Sequence, residues 1–441
     1  MAERDVNSDP WATLRSLPMG ERIAIESADG RRWSGTLVPS HELSGDRTIQ
    51  LKLDSGYNVG IRIGPHDVVR RISASSGGPE PTEGDKPPRA PEEQSKGRRI
   101  SLLTTGGTIA SRVDYHTGGV RPVKTEQEVL GFFPDLGREG PVELVPVSDR
   151  LSEEIAPPDW VELAHKVVEA FSGGSQGVVI AHGTDTLAFS AAALSFLLED
   201  LPGPVVLVGA QRSPDRPSSD AFTNLAQAAR LARFPGLGEV VVLMHDGLSD
   251  DRFAIHRGTR VRKMHSTRRD AFRTRDGPPL GLIEGDVISF RAAFRPAGAG
   301  PARVTGPLDP NAAILWYHPG LEPERAAAFA RGLRGVVVAG TGLGHVSLTH
   351  LPWIREAIRG GAVVVMTTQC LEGSSDPFVY STGRELLRAG VLYAGDLLPE
   401  TAFVKLLWAL GRSKDPQEVR RLMLEPRAGE FEARHLGFDR A

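Results

Sequence analysis

Apolar and polar residues alternate along residues 12–74, in short runs such as RIAIES and TIQLKLDSGYNVGIRI. Asp-Gly and Ser-Gly pairs interrupt the alternation, and a two-residue period broken by turn dipeptides is typical of antiparallel strands. These residues are therefore predicted to form a small antiparallel sheet or barrel. They show no pattern of catalytic residues, so a packing or docking module is favoured over a chemical role.

Beyond residue 98 the apolar residues form continuous runs, which are separated by segments with helical periodicity at 186–199, 221–233, 322–333, 350–360 and 399–411. The runs predicted as strands are RRISLLTT, GVVIAHG, PVVLVGA, EVVVLMHDG, AAILWYH, GVVVAGT and AVVVMTT. Apolar strands that alternate with helices indicate parallel sheets covered on both faces. The Pro- and Gly-rich stretch 295–310 is predicted to connect two such sheets.

Residues 76–97 are rich in Pro, Gly, Glu and Lys and contain almost no apolar side chains. Such a segment cannot bury enough apolar surface to offset its ordering entropy, so a flexible linker is predicted. The expected organisation is a β-rich domain at 1–75, this linker, an α/β domain at 98–300 and a second α/β domain at 311–441.

The net charge of −3 gives the chain no overall basic field of the kind that dedicated nucleic-acid binders show. Cys370 is the single cysteine, which excludes an internal disulfide and a cysteine-rich zinc site. The N-terminal residues MAERDVNSDP lack an apolar signal segment, and no apolar run is long enough to span a bilayer. A soluble cytoplasmic protein without a membrane partner is expected.

Two polar motifs follow predicted strands directly: TTGGTIAS at 104–111 and HGTDT at 182–186. Ligands of open α/β sheets bind at the carboxyl ends of the strands, where these motifs lie. The glycines of the first permit a sharp turn from which Thr108 projects, and the second opens a helix whose free N–H groups suit a carboxylate or an oxyanion. Each motif alone also fits a strand exit or a helix cap. Together they predict hydroxyls and a carboxylate that converge.

The two motifs closely resemble the signatures of the bacterial-type asparaginase/glutaminase family. The similarity extends over about residues 98–435 and includes VLVGAQRSPDRPSSDA at 206–221 and KDPQEV at 414–419. The resemblance implies a two-domain asparaginase-type α/β fold with parallel sheets, here preceded by the small β-rich domain. It also implies hydrolysis of the side-chain amide of glutamine or asparagine through a threonine acyl-enzyme, with no metal.

Roles for individual residues follow from this resemblance alone. They are Thr108 as nucleophile, Thr184, Asp185 and Lys263 as a second triad, Tyr115 as a loop residue that polarises the nucleophile, and Ser152, Glu153 and Asp185 as the binding site for the α-amino acid end of the substrate. Tyr115 follows Thr108 more closely than in stand-alone enzymes, so a surface tyrosine is the alternative. Lys263 lies among many arginines, and a solvated basic face is its alternative. Which threonine attacks first stays open, although the analogy favours Thr108.

The N-terminal region and several later segments resemble the D subunits of archaeal-type glutamyl-tRNA(Gln) amidotransferases. These segments include KLDSGYNVGI at 52–61, TQCLEG at 368–373 and VYSTGRELLRAG at 379–390. The resemblance implies a homodimeric glutaminase that supplies ammonia to an E-type subunit. That partner would bind Glu-tRNA(Gln) and use ATP and magnesium, so this chain would need no cofactor. A free-standing cytoplasmic L-asparaginase/glutaminase and a non-catalytic scaffold are the alternatives.

Three further features have two interpretations each. Residues 252–275 hold nine Lys or Arg against one Asp, and they either contribute to tRNA or partner binding or, in the favoured interpretation, support Lys263. His182 is expected to support its loop rather than to transfer protons, whereas His345 fits a structural role and a place in the acid-base network equally. The stretch EGSSDPF at 372–378 departs from the D-subunit pattern, which puts substrate selectivity or the dimer contact in doubt.

Overall fold

The computed structural model describes residues 10–28, 32–38, 47–53, 58–72, 97–106, 111–113, 120–122, 136, 140–214, 218–285 and 287–431. Apart from Gly97, the linker predicted at 76–97 lies outside the described residues. No helix within the described ranges is long and apolar enough to cross a membrane.

The N-terminal region begins with a short helix, α1 (Pro10–Arg15), and continues as five strands: β1 (Arg22–Glu26), β2 (Arg32–Val38), β3 (Thr48–Leu53), β4 (Asn58–Arg62) and β5 (Val68–Arg71). The strands form one antiparallel sheet in the order β4-β3-β2-β1-β5. Ile23, Ile25, Leu37 and Leu51 are fully or almost fully buried on one face. The alternation in the sequence therefore reflects one buried and one exposed face, and the predicted antiparallel sheet is confirmed.

The first α/β domain contains an eight-stranded mixed sheet. Its strands in spatial order are β18 (Val287–Phe290), β17 (Gly281–Glu284), β14 (Arg252–Arg257), β13 (Val240–His245), β12 (Val205–Val208), β10 (Val178–Ala181), β6 (Ile100–Thr104) and β9 (Val142–Pro146). Strands β13, β12, β10, β6 and β9 are parallel, whereas β14, β17 and β18 are joined to them antiparallel. The sequence predicted the parallel strands β6, β10, β12 and β13, whereas the parallel strand β9 and the antiparallel edge were not predicted.

Three short antiparallel pairs lie outside that sheet. They are β7 (Ser111–Val113) with β8 (Val120–Pro122), β11 (Leu198–Glu199) with β19 (Arg303–Val304), and β15 (Val261–Lys263) with β16 (Phe272–Thr274). The second α/β domain is built on a four-stranded parallel sheet: β20 (Ala312–Trp316), β21 (Gly335–Gly340), β22 (Val363–Thr368) and β23 (Leu392–Tyr393). Residues 295–310 run between the two domains.

Helices cover these sheets. They are α2 (Pro157–Ser172), α3 (Leu187–Leu197), α4 (Ala221–Ala232), α5 (Pro323–Ala330), α6 (Leu351–Arg359), α7 (Ser381–Arg388), α8 (Pro399–Arg412) and α9 (Pro416–Leu424). The seven predicted strands and five predicted helices are confirmed, with shifts of a few residues at their ends. Helices α1, α2, α7 and α9 were not predicted.

Helix α3 joins the two α/β domains. It is apolar on almost every side, as expected for a helix with no solvent-facing surface, and it packs against α8 of the second domain. Phe189 meets Phe403 edge to face, with ring centroids 6.4 Å apart, and Phe196 lies 6.1 Å from Trp408. Burial of each such side chain contributes about 1.5–3 kcal/mol, so this contact holds the domains in a fixed relation.

The segment after α9 is held by charges that are completely buried. The ammonium of Lys405 donates to a Glu430 carboxylate oxygen at 2.5 Å and to the Glu425 carbonyl at 2.6 Å. Both charged side chains have 0% exposure. Burial lowers the pKa of Lys405, and the nearby Glu430 carboxylate opposes that shift.

Removal of one of these charges should strongly destabilise the protein. Lys405→Met leaves a buried carboxylate without a counter-charge, and the expected loss is about 3–5 kcal/mol of the free energy of unfolding. The double variant Lys405→Met, Glu430→Gln should recover most of the loss, because neither charge is left. Arg325→Gln is the control; this arginine is 77% exposed in its pair with Glu322, and a change within about 0.5 kcal/mol is expected. Urea unfolding followed by tryptophan fluorescence gives these values, and equal effects of Lys405→Met and Arg325→Gln would contradict the prediction.

Candidate active site

The two motifs lie side by side at the carboxyl edge of the first sheet. Thr104 at the end of β6 is in register with Ala181 at the end of β10, and the amide of Thr105 donates to the Ala181 carbonyl at 3.1 Å. Gly106 then turns the chain away with a φ of 90°, a conformation that favours glycine. Thr108 and Tyr115 lie outside the described residues, so the structure does not place either side chain.

The second motif connects β10 to α3. Thr184 is partly buried, whereas the carboxylate of Asp185 is 69% exposed and faces solvent. Thr186 is the N-cap residue of α3, but its hydroxyl makes no capping bond and donates instead to the carbonyl of Ser152 at 2.6 Å. This bond ties the second motif to the loop predicted to bind substrate.

That loop forms a short 3-10 turn over Ser152–Glu154. Ser152 is 5% exposed, and Glu153 beside it is open to solvent. Glu154 caps the turn by accepting the amide of Leu151 at 3.2 Å. The turn is thus fixed at the edge of the site, with one acidic side chain available to a ligand.

Lys263 reaches the second motif from the β15–β16 hairpin. Its ammonium donates to Thr184 Oγ1 at 2.8 Å and to Asp185 Oδ1 at 2.6 Å. The lysine side chain is only 13% exposed. The structure therefore brings together three of the predicted residues, although the lysine is nearly eighty positions away from the other two in sequence.

The hairpin that carries Lys263 is anchored to the second α/β domain. Arg260 donates to the Asp396 carboxylate at 2.8 Å and to the Glu430 carbonyl at 2.9 Å. Arg262 pairs with Glu400 at 3.1 Å. Both arginines are largely buried in these contacts, so the position of the lysine depends on residues of the other domain.

The basic segment 252–275 is neutralised locally. Each of its nine cationic side chains lies within 3.1 Å of a carboxylate, in the pairs Arg252–Asp246, Arg257–Glu239, Arg260–Asp396, Arg262–Glu400, Lys263–Asp185, Arg268–Asp270, Arg269–Asp250, Arg273–Asp270 and Arg275–Asp276. This pairing favours the interpretation of the segment as a scaffold for Lys263.

His182 is part of the wall of the site and carries no charge. Its Nδ1 lies 2.7 Å from the Gly183 carbonyl, and its Nε2 lies 2.8 Å from the Ser190 hydroxyl, which accepts a bond from the Trp160 indole. A carbonyl only accepts, so Nδ1 carries the proton and Nε2 accepts from Ser190. Complete burial lowers the pKa of His182 to about 4.

His345 belongs to the second α/β domain and packs edge to face on Tyr380, with ring centroids 5.3 Å apart. Burial lowers its pKa, and the Asp376 carboxylate acts in the opposite direction. Neither ring nitrogen has a hydrogen-bond partner among the described residues. In the same residues no group of three or more His, Cys, Asp or Glu side chains is arranged to hold a metal ion.

The surface that backs Thr184 was not predicted from the sequence. A Cβ atom placed on Gly209, just after β12, would lie 2.6 Å from the methyl carbon of Thr184. Any side chain at residue 209 would therefore force Thr184 or the main chain to shift, and glycine avoids this because it has no Cβ atom. The glycine in VLVGAQRSP was visible in the sequence, but its neighbour across the sheet was not.

The arrangement can move a proton and bind an amino acid. A hydroxyl that accepts a bond from Lys263 has its own proton free for another acceptor, so Thr184 can relay a proton between a reacting group and the lysine. The exposed Asp185 carboxylate can bind a ligand ammonium, and the free N–H groups at the start of α3 favour negative charge nearby. These are the components of amide hydrolysis by a hydroxyl nucleophile.

Comparison with known protein families agrees with this chemistry. Residues 99–295 match the profile described as Asparaginase, N-terminal, and residues 311–423 match the Glutaminase/Asparaginase C-terminal domain. Residues 17–70 match the GatD N-terminal domain. Among solved structures, the thermostable L-asparaginase from Thermococcus kodakarensis is similar with a TM-score of 0.68 and 37% identity, covering 76% of this chain and 99% of that one. L-asparaginase I from Vibrio cholerae is similar with a TM-score of 0.66 and 26% identity, and the match covers 76% of this chain and 99% of that one.

Two relatives are similar over nearly the whole chain. The D subunit of the glutamyl-tRNA(Gln) amidotransferase from Methanopyrus kandleri is 44% identical, and the alignment covers 96% of this chain and 94% of the relative. The protein of the same name from Pyrococcus furiosus is 42% identical, with 93% of each chain covered. The alignments extend over the N-terminal sheet and both α/β domains of this chain, and the chain belongs to the D-subunit family of glutamyl-tRNA(Gln) amidotransferases, within the asparaginase/glutaminase family.

Proposed function

We propose that this chain is the glutaminase subunit of a tRNA-dependent amidotransferase and that it hydrolyses the side-chain amide of glutamine to supply ammonia. The observation that carries the proposal is the ammonium of Lys263, held at 2.8 Å from Thr184 Oγ1 and 2.6 Å from Asp185 Oδ1. This triad can take up and return the proton of a hydroxyl nucleophile, which is too weak to react unaided at neutral pH.

The reaction has two halves. The threonine oxygen forms a bond to the amide carbon while its proton passes through the triad to the leaving nitrogen, and the carbon–nitrogen bond breaks to release ammonia. Water then adds to the resulting ester, gives a proton to the threonine oxygen and releases the carboxylic acid. We assign the attack to Thr108 on the family resemblance, with Tyr115 polarising it and Thr184 relaying the proton.

The substrate is held by its α-amino acid end. The exposed carboxylate of Asp185 and the side chain of Glu153 offer negative charge to the α-ammonium group, while Ser152 supplies a hydroxyl beside them. The bond from Thr186 to the Ser152 carbonyl keeps these groups on one side of the triad. Either glutamine or asparagine satisfies this arrangement.

The family supports a proposal for the destination of the ammonia. The relatives that are similar over nearly the full length are D subunits of an amidotransferase, and the first domain of this chain matches the profile of their N-terminal domain. We propose that the ammonia passes to an E-type subunit that binds Glu-tRNA(Gln) and holds ATP and magnesium. This chain itself would need no cofactor and would act as a homodimer in the cytoplasm.

A free-standing L-asparaginase/glutaminase is the second candidate. Its support is the similarity of the two α/β domains to the Thermococcus kodakarensis L-asparaginase, of which 99% is covered although the match spans 76% of this chain. In that case hydrolysis would need no partner, and the N-terminal domain would serve another purpose.

Ammonia release separates the two candidates. We expect slow release from glutamine by the purified chain and stimulation when the E-type subunit, ATP and Glu-tRNA(Gln) are added, because the free ammonia is useful only to the complex. Ammonia would be measured with glutamine and with asparagine, and uncharged tRNA would serve as the control. Full activity on asparagine that ignores the partner would select the free-standing enzyme, and no release from either amide under any condition would reject both.

Loss of the Lys263 ammonium should abolish most of the activity. Lys263→Met keeps the length of the side chain but removes the donor to Thr184 and Asp185, and kcat should fall by about 10²–10⁴-fold. Lys166→Met is the matched control, since Lys166 is a partly exposed lysine on α2 whose ammonium forms a salt bridge with Glu169 on the same helix. A fall in kcat of less than threefold for Lys263→Met would remove the lysine from the proposed relay.

The buried His182 should make the stability of the protein, rather than its catalysis, decrease at acid pH. The pKa of His182 is lowered by burial to about 4, against about 6.5 in an unfolded chain. Between these values the unfolded state binds a proton that the folded state does not. The contribution of the neutral His182 to the free energy of unfolding is therefore fully present above about pH 6.5 and is lost as the pH falls towards 4. Thermal unfolding between pH 5 and 8 should show a smaller pH dependence for His182→Asn than for wild type. The exposed His165→Asn is the control, and identical slopes for all three proteins would refute the assignment.

A further inference from the structure

A buried polar network lies behind the turn that follows β12. The carboxylate of Asp220, which is completely buried, accepts the main-chain amides of Gln211 and Arg212 at 2.9 Å each. It also accepts the side-chain amide of Asn224 at 3.1 Å. One side chain therefore holds two consecutive amides of the turn, and hydrogen bonds from N–H groups to a carboxylate are stronger than those between neutral groups.

Asn224 holds the start of the same turn. Its Nδ2 donates to the Gly209 carbonyl at 3.0 Å, and its Oδ1 lies 2.8 Å from His245 Nδ1. A carbonyl can only accept, so the orientation of the asparagine amide is determined and the proton on His245 Nδ1 follows from it. The turn from 209 to 212 is thus bonded to buried side chains at both ends.

The turn is in direct contact with the proposed relay. A Cβ atom on Gly209 would meet the Thr184 methyl carbon at 2.6 Å and the His182 carbonyl oxygen at 3.0 Å. A threonine side chain has few rotamers, and the space between residue 209 and the Thr184 methyl group, which is too small even for a Cβ atom, restricts them further. Displacement of Gly209 in one direction creates a clash with Thr184, and displacement in the other releases the threonine.

The outer end of the network reaches the hairpin of Lys263. His245 Nε2 lies 2.9 Å from the Asp250 carboxylate, which accepts Arg269 Nη1 at 2.8 Å. Arg269 follows Lys263 in the β15–β16 hairpin, and its Nη2 donates to the Ser218 carbonyl at 2.7 Å. The same set of bonds therefore fixes the surface on one side of Thr184 and the hairpin that carries its hydrogen-bond donor.

We infer that Asn224 and Asp220 are positioning residues for Thr184: they hold the 209–212 turn so that the threonine hydroxyl stays aligned with Lys263 Nζ. This inference rests on the proposed function and adds two residues that do not touch the substrate. Misplacement of a reacting group by about 1 Å is enough to lower a rate about 10²-fold. The substrate-binding loop at 152–154 has no bond to this network among the described contacts, so kcat should change far more than KM.

The test compares Asn224→Leu with wild type in steady-state glutamine hydrolysis. Leucine fills a similar volume but lacks the bonds to Gly209 and His245, and kcat should fall about 10- to 100-fold while KM stays within about threefold. Asp220→Asn keeps one accepting oxygen and should give a smaller loss in the same direction. Ser175→Ala is the matched control, because this buried hydroxyl is bonded at 2.7 Å to Ser101 at the opposite end of the strands.

A second readout does not depend on activity. In a methyl spectrum of threonine-labelled protein, with Thr184 assigned through Thr184→Val, its resonance should shift in both network variants and stay unchanged in Ser175→Ala. If Asn224→Leu does not fold, Asp220→Asn decides by the same two measurements. A kcat equal to that of Ser175→Ala together with an unchanged Thr184 methyl resonance would overturn the inference. Absence of hydrolysis by the wild-type protein would count against the proposed function, and the methyl shift would still test the positioning.

Discussion

The site depends on one ammonium group that is almost withdrawn from water. A lysine at 13% exposure needs hydrogen-bond acceptors, and the acceptors available to Lys263 are the hydroxyl of Thr184 and the carboxylate of Asp185. The hairpin that carries the lysine is in turn held to the second α/β domain by two ion pairs, Arg260 with Asp396 and Arg262 with Glu400. The first α/β domain therefore supplies the chemistry, and the second keeps its geometry.

Much of the architecture could be predicted from the pattern of apolar residues. Strands β10, β13 and β22 are buried on both faces. Their sequences are therefore continuous apolar runs, which are typical of the strands of a parallel sheet. The antiparallel edge was missed because its strands carry exposed or charged positions: β14 begins and ends with arginine, and β17 and β18 have exposed residues. Helix α2 was missed although Pro at its start and the capping contact from Asp159 to the Ala156 amide are signals for a helix.

The candidate site was only partly predictable for a different reason. The motifs locate Thr184 and Asp185 at the end of a strand, but nothing in their spacing indicates that Lys263 reaches them; that assignment came from family resemblance. The roles of Asp220 and Asn224 were not predicted, because their partners are backbone groups of the 209–212 turn and side chains distant in sequence, and the turn that links them to Thr184 has no counterpart in the sequence. Polar residues with such partners show no pattern in the sequence that distinguishes them from other polar residues.

The buried pair of Lys405 and Glu430 has a consequence for how the protein is made. Helix α8 leaves the ribosome before the segment that carries its counter-charge, so during synthesis its lysine must stay hydrated or bind another acceptor. The first two domains can fold as they emerge, as N-terminal domains generally do. The last domain, and through Arg260 and the Glu430 carbonyl the hairpin of the site, can close only once residue 430 has been added. The hydrolytic site is thus completed only after residue 430 has been synthesised, so a shorter nascent chain does not yet carry it in finished form.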